Sequence, residues 1–232
     1  MAYLALAIVA GLAAVERKGF LQAMLSRPVA LAPIAGWALG DVRGGLLLAA
    51  PLELLWLGAV NLGAALPVHE ALATVAITGG AILSARALGT EVGAEVALLS
   101  TLVCAPFALL GRVADQRVER WNEKLADRAE AELAAGHPRA AARTNLRGLA
   151  LPFAVAAVLA PAGAALAALA VPAVLRAVPV AAGPLRLGFH AFAAIACASG
   201  ARALRASVAP GWFYAAFAGA LIVGLLGRGA LP

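Results

Sequence analysis

The stretch GGLLLAAPLELLWLGAVNLGAALPV, residues 44–68, is apolar except for one carboxylate, Glu53, and one amide, Asn61. No cation lies close enough to Glu53 along the chain for a short-range ion pair. An ionisable side chain inside an apolar segment is costly to bury and is therefore uncommon. Either the segment is not what its hydropathy suggests, or Glu53 is central to what the protein does.

The composition extends this apolar character to the whole chain. Of 232 residues, 63% are hydrophobic and only 13% are charged, with a mean hydropathy of +0.92. A soluble domain of this size could not hide so much apolar surface. Because Ala, Leu, Gly and Val dominate and no alternating strands occur, the sequence predicts an all-α integral membrane protein and not a barrel.

The formal net charge of +6 could suggest nucleic acid as a partner. The cations lie at the ends of the hydrophobic segments, however, which is the pattern of the positive-inside rule. We therefore expect membrane lipid around this chain, and no nucleic acid.

Charges and breaks divide the chain into hydrophobic stretches, several of them shorter than the roughly 20 residues of a straight span. They cover about 1–15, 28–40, 44–68, 71–85, 92–111, 148–175, 177–201 and 207–227. Gly and Pro interrupt many of them, which is a sequence pointer to broken helices and to the binding site of a transporter. The sequence predicts a polytopic helical bundle with fewer spans than hydrophobic peaks, and broken or re-entrant helices between 28 and 68.

Residues 112–147 are the exception, with eight of the 18 Lys and Arg and six of the 12 Asp and Glu. Apolar residues recur every three or four positions, which predicts an amphipathic helix that ends at Gly136-His137-Pro138. They are Ala114, Val118, Trp121, Leu125, Ala129 and Leu133. The helix is either a solvated segment on the bundle or a docking surface for a soluble partner, and its cations place it in the cytoplasm. Three regions follow: a membrane region over 1–111 with the substrate segment, this charged segment, and a second membrane region over 148–232.

Few motifs point to chemistry in the chain itself. Nucleotide-binding loops are missing, the histidines lack zinc spacing, and Cys104 and Cys197 form no CxxC pair, so we expect no cofactor, metal or catalytic residue. His190 is the one histidine within a hydrophobic segment, and we keep it as a possible supporting residue of a site.

The surroundings of Glu53 suggest a binding site. Pro51 suits the first turn of a helix, which would place Glu53 where the helix dipole favours a negative charge. Trp56 would share its face and could stack on a sugar ring, whereas Asn61 lies about 12 Å further along an unbroken helix. The alternative is an internal carboxylate paired with Arg27 or Arg43 from another segment.

Asp41 and Arg43 read as a polar turn after Gly40. We regard Arg43 as interfacial and Asp41 as a possible supporting residue.

Residues 26–74 resemble the IIC membrane subunit of the mannose/fructose/sorbose-type bacterial sugar phosphotransferase system (PTS). The matching features are Arg27-Pro28, Gly40-Asp41 with a following Gly, Leu52-Glu53, Asn61-Leu62-Gly63-Ala64-Ala65 and the acid Glu70. The resemblance implies a multi-pass protein of the bacterial inner membrane that forms a hexose path with a IID subunit and is oligomeric. Soluble IIA and IIB components would carry the phosphoryl group on histidines, while IIC itself stays unphosphorylated.

By the same resemblance, Glu53 and Asn61 match positions expected to bind sugar hydroxyls. One feature departs from the pattern: many members carry an acid shortly before the Arg-Pro pair, where this chain has Gln22. Two other functions therefore stay open. One is a regulatory or scaffold subunit that moves no sugar, and the other is a proton-coupled carrier with Glu53 as its proton site.

Overall fold

The fold was examined in a computed structural model. It describes residues 1–19, 21, 23–57, 67–203, 211, 214, 215, 218, 219 and 222. The helices are α1 Ala2–Arg17, α2 Pro28–Ala38, α3 Val42–Trp56, α4 Glu70–Leu88, α5 Ala94–Cys104, α6 Pro106–Ala134, α7 Pro138–Arg147, α8 Ala150–Ala177 and α9 Ala182–Ala203, with a 3₁₀ turn at Pro179–Ala181. All regular structure in these residues is helical, which confirms the predicted all-α class.

Helices α5 and α6 follow each other with one residue between them, and so nearly do α7 and α8. Counted in this way, four described segments are long and apolar enough to cross a membrane: Glu70–Leu88, Ala94–Ala134, Pro138–Ala177 and Pro179–Ala203. Seven of the eight hydrophobic stretches lie mainly within the described residues, and the four candidate spans there are fewer than these stretches, as predicted.

Helix α4 lies at the centre of the bundle and is buried along most of its length. Its small residues allow close approach: Gly79 packs against Leu6 of α1, and Gly80 packs against Ala167 of α8. The Ser84 hydroxyl donates to the Ala167 carbonyl oxygen at 3.1 Å. Small side chains with an occasional interhelical hydrogen bond are the usual way to hold helices together in lipid.

Helices α2 and α3 form an antiparallel hairpin with its tip at Leu39–Asp41. With 11 and 15 residues, they measure about 16 and 22 Å, short of the roughly 30 Å hydrocarbon thickness. Gly40 has a φ of 75°, a left-handed conformation that glycine adopts without strain. The prediction of short, broken helices in this region is thus confirmed for the part that the structure describes.

The predicted start of a helix at Pro51 is wrong. Helix α3 begins at Val42, because the Asp41 side chain accepts a hydrogen bond from the Gly44 N–H at 2.8 Å and caps the helix there. Pro51 lies inside α3, so Glu53 is in its last turn and not in its first.

The charged helix is longer than predicted. Helix α6 starts at Pro106, within the hydrophobic stretch before it, and ends at Ala134, which confirms the stop signal at Gly136-His137-Pro138. In the predicted apolar stripe, Val118 is buried, but Trp121 and Leu133 are exposed. Helix α7 contacts α6 through Thr144, which donates to Glu132, and Leu125 and Ala129 are half-buried.

We predict that Gly45→Ala destabilises the protein. A Cβ at residue 45 would overlap the Ala32 carbonyl oxygen, because α2 and α3 are in backbone contact there. Overpacking of this kind costs about 1–3 kcal/mol, measurable as a lower thermal unfolding midpoint in detergent. Gly183→Ala is the control, since a Cβ there meets nothing within 4 Å. Equal midpoints for the two variants would contradict the prediction.

Candidate functional site

The carboxylate of Glu53 lies at the N-terminus of α2. Its Oε1 accepts hydrogen bonds from Arg27 Nε at 3.0 Å and from Arg27 Nη2, and its Oε2 accepts one from the Val29 N–H at 3.2 Å. The exposed fractions of the two side chains are 17% for Glu53 and 24% for Arg27. Of the two cations considered from sequence, Arg27 is therefore the partner of Glu53 in the structure.

The electrostatics at Glu53 follow from this placement. The C-terminal end of α3 carries a partial negative charge, which disfavours a carboxylate in its last turn. The N-terminus of α2 and the Arg27 guanidinium supply positive charge on the other side. A helix dipole does help this carboxylate, as expected from the sequence, but the dipole belongs to α2.

A second carboxylate, Glu16, binds the backbone next to the Arg27-Pro28 pair, where the chain turns into α2. The Ser26 N–H donates to Glu16 Oε2 at 3.0 Å, and Glu16 is buried. Glu16 and Glu53 thus bind the backbone on both sides of the Arg27-Pro28 pair. The sequence gives no sign of this contact, because ten positions separate Glu16 from Ser26 and no local pattern indicates that the chain turns back here.

The other predicted site residues are spread through the fold. Trp56 is buried in the core cluster that also holds Leu48 and Leu52, so little of its ring faces open space. His190 is half-buried in α9; Gly200, which packs on Leu54, is ten residues and about 15 Å away along that helix. Gln22 and Asn61 lie outside the described residues.

Asp41 and Arg43 lie at the tip of the α2–α3 hairpin, at the opposite end of α3 from Glu53. They line a cavity of about 560 Å³ together with Thr90 and Glu91. The Arg43 Nη1 to Glu91 Oε2 distance is 3.8 Å and both side chains are about nine-tenths exposed, consistent with an interfacial Arg43. The capping hydrogen bond of Asp41 gives it a structural role in α3.

A buried ionic cluster, which the sequence did not predict, joins α1, α4 and α6. Arg17 Nη1 donates to Asp115 Oδ2 at 2.7 Å, and Lys18 Nζ lies 2.9 Å from Glu119 Oε1. Asp115 is only 1% exposed. Asp115 lies on the same face of α6 as Gly111 and Val118, which are also buried.

Glu70 completes this cluster at the start of α4. Its Oε1 is 3.5 Å from Arg17 Nε, while its buried Oε2 has no hydrogen-bond partner among the described residues. Next to it, burial and the positive charge of Arg17 lower the pKa of His69 to about 4. The neutral ring accepts a hydrogen bond from the Leu72 N–H at Nδ1 and so caps α4.

Among the described residues, no group of three His, Cys, Asp or Glu side chains could hold a metal ion. The chemical groups that the site offers are a carboxylate, a guanidinium and backbone N–H groups, which bind hydroxyls and anions.

Comparison with known families connects this arrangement to a function. The sequence matches the family described as the sorbose-specific IIC component of the PTS system over residues 1–226. The chain belongs to this family. It is therefore a IIC membrane component of a sugar phosphotransferase system, and the resemblance noted for residues 26–74 extends over nearly the whole chain.

Individual relatives of this IIC chain agree. It is 36% identical over 92 residues to an Escherichia coli protein named "Putative N-acetylgalactosamine permease IIC component 2", a match that covers 40% of the chain and 68% of the relative. A solved structure titled as a membrane protein has a TM-score of 0.69 at 25% identity, covering 98% of the chain and 92% of that structure. The mannose transporter ManYZ, solved by cryo-EM with the microcin MceA, shares the fold at a TM-score of 0.58 and 23% identity, covering 99% and 91%.

We predict that Asp115→Asn destabilises the IIC chain by about 3 kcal/mol, because Arg17 and Lys18 lose a buried counter-charge. The measurement is thermal unfolding in detergent, with Asp127→Asn as the matched control, since Asp127 is an exposed acid of the same helix. A variant as stable as the control would show that the cluster contributes no net stability.

Proposed function

We propose that this IIC chain is the sugar permease subunit of a phosphoenolpyruvate-dependent phosphotransferase system in a bacterial inner membrane. In this proposal it forms the hexose path together with a IID subunit. The observation that carries the proposal is the family match over residues 1–226, joined to a partly buried carboxylate, Glu53, at the end of a short helical hairpin.

Glu53 is the proposed acceptor for sugar hydroxyls. A carboxylate has about four lone-pair positions, and the bonds from Arg27 and Val29 leave acceptor capacity on Oε2. Arg27 neutralises the charge and fixes the side chain, so that the carboxylate is oriented before the sugar arrives. Gln22 and Asn61 are proposed as further hydroxyl-binding groups, with Trp56 as an apolar wall.

The phosphoryl chemistry in this proposal belongs to soluble IIA and IIB components, which carry the phosphoryl group on histidine. The hexose hydroxyl accepts that group on the cytoplasmic side, and the charged product cannot return through the path. This IIC chain contributes binding and release of the sugar and forms no covalent intermediate.

The first test is phosphosugar formation from labelled mannose and fructose in cells that contain the chain with its IID, IIA and IIB partners. We expect Glu53→Gln to lower it at least tenfold at equal membrane abundance, because a neutral amide binds hydroxyls less strongly than a carboxylate. Glu91→Gln is the control, because Glu91 is an exposed acid that lies near Arg43, at the opposite end of α3 from Glu53.

Phosphosugar at wild-type level in Glu53→Gln would contradict the assignment of the site. No phosphosugar from the wild-type complex with any hexose would favour the regulatory or scaffold function. Uptake that collapses with the proton gradient and gives unphosphorylated sugar would favour a proton-coupled carrier.

A double variant separates sugar binding from a purely structural ion pair. We expect Arg27→Gln alone to lower the abundance of the protein, since Glu53 loses its counter-charge. Adding Glu53→Gln should restore abundance but not phosphosugar formation, because the hydroxyl acceptor is still missing. Recovery of both, measured by quantitative immunoblot and the phosphosugar assay, would mean that the pair only holds α2 and α3 together.

A further inference from the structure

The α6–α7 hairpin projects from one end of the bundle. Helix α6 runs antiparallel to α8, because Phe107 packs against Gly163 near one end and the Asn122 side chain donates to the Gly148 carbonyl at 3.0 Å near the other. The two contacts are separated by 15 residues on each side, about 22 Å. Since α8 is a candidate membrane span, α6 follows its direction and continues about 18 Å past Asn122.

Beyond the bundle, α7 packs back on α6. Thr144 Oγ1 donates to Glu132 Oε2 at 2.7 Å, and Ala141 and Thr144 are buried against α6. On α6, Val118 is buried, and Leu125 and Ala129 on the same helical face are half-buried; we call this the packed face. These contacts fix which sides of the hairpin stay open to solvent.

The charges on this hairpin are segregated by sign. At about 100° per residue, the cations of each helix lie about a third of a turn from its packed face, in the same rotational sense in both helices. Because the two helices run antiparallel, an equal rotation away from the packed face in the same sense points the cations of both helices to the same side of the hairpin. We define this side as the basic face; its exposed members are Arg117, Arg120, Lys124, Arg128, Arg139, Arg143, Arg147 and Trp121.

Most acids of α6 lie outside the basic face. Asp115 and Glu119 pair with Arg17 and Lys18 of α1. The exposed acids Glu123, Asp127 and Glu130 lie in the sector of the helix next to the cations, with Asp127 about 20° from Arg120 on the helical wheel. Glu132 lies beside the basic face, where its Oε1 is 3.3 Å from Arg128 Nε.

We propose that the basic face docks an acidic surface of the soluble IIB phosphocarrier. The inference rests on the proposed function, because it takes the soluble partner from it. Charge complementarity argues for an acidic partner, and the exposed Trp121 among the cations offers an apolar anchor of the kind found at the centre of interfaces. The projection of the hairpin along the direction of α8 argues for a soluble protein and against a lipid headgroup layer.

The test is binding of the cognate IIB component to the full-length chain in nanodiscs of neutral phosphatidylcholine, measured by biolayer interferometry at low and physiological salt. The variant Arg120→Gln/Lys124→Gln/Arg128→Gln removes three cations of the basic face. We expect about tenfold weaker binding and a weaker salt dependence. The matched control, Glu123→Gln/Asp127→Asn/Glu130→Gln, should bind IIB as tightly as wild type or more tightly.

Equal affinities for wild type, basic-face variant and control would overturn the proposal, and so would a wild-type chain that does not bind IIB. If the hairpin gains hydrogen-exchange protection from phosphatidylglycerol while IIB binding stays unchanged in the basic-face variant, its occupant is lipid and the proposal is also wrong. The phosphosugar assay distinguishes failure of this proposal from failure of the permease function. If the complex forms phosphosugar although IIB does not bind the basic face, the docking proposal is wrong and the permease function is still supported.

Discussion

A helix that ends within a membrane protein must find partners for its terminal N–H and C=O groups, because lipid offers none. Helices α2 and α3 are both too short to span the bilayer, so this constraint governs the hairpin that they form. The Asp41 side chain caps α3, and the Glu53 carboxylate takes an N–H from the first turn of α2. Arg27 then supplies the counter-charge that lets Glu53 remain in this position. The carboxylate that makes the sequence unusual thus also closes the hairpin.

The sequence predicted the membrane-helical class and the breaks in the N-terminal half, since these depend on composition and local pattern. It left the partner of Glu53 open between Arg27 and Arg43, because a separation of 26 residues is resolved only by the antiparallel packing of α2 and α3. Pro51 was misleading because proline occurs both at the first turn and inside membrane helices. Asp41 is a favoured N-cap residue and was a better indication of where α3 begins than Pro51.

The ionic cluster at Asp115 could not be predicted from local sequence patterns either, because it too depends on contacts between distant segments. Its members come from the end of α1, the start of α4 and the middle of α6, and the 97 residues between Arg17 and Asp115 carry no pattern that links them. On a helical wheel Asp115 looks like one more exposed acid of a charged helix. Only the packing of Gly111 against the His69 side chain turns that face of α6 toward the bundle.

Three consecutive residues at the end of α1 connect these two regions. Glu16 binds the backbone next to the Arg27-Pro28 corner, while Arg17 and Lys18 bind the acids of α6. A displacement of α6 relative to the bundle would act on Arg17 and Lys18, and thereby on the residue beside them that holds the corner at Glu53. The covalent adjacency of Glu16, Arg17 and Lys18 thus gives a direct physical connection between α6 and the chain beside Glu53.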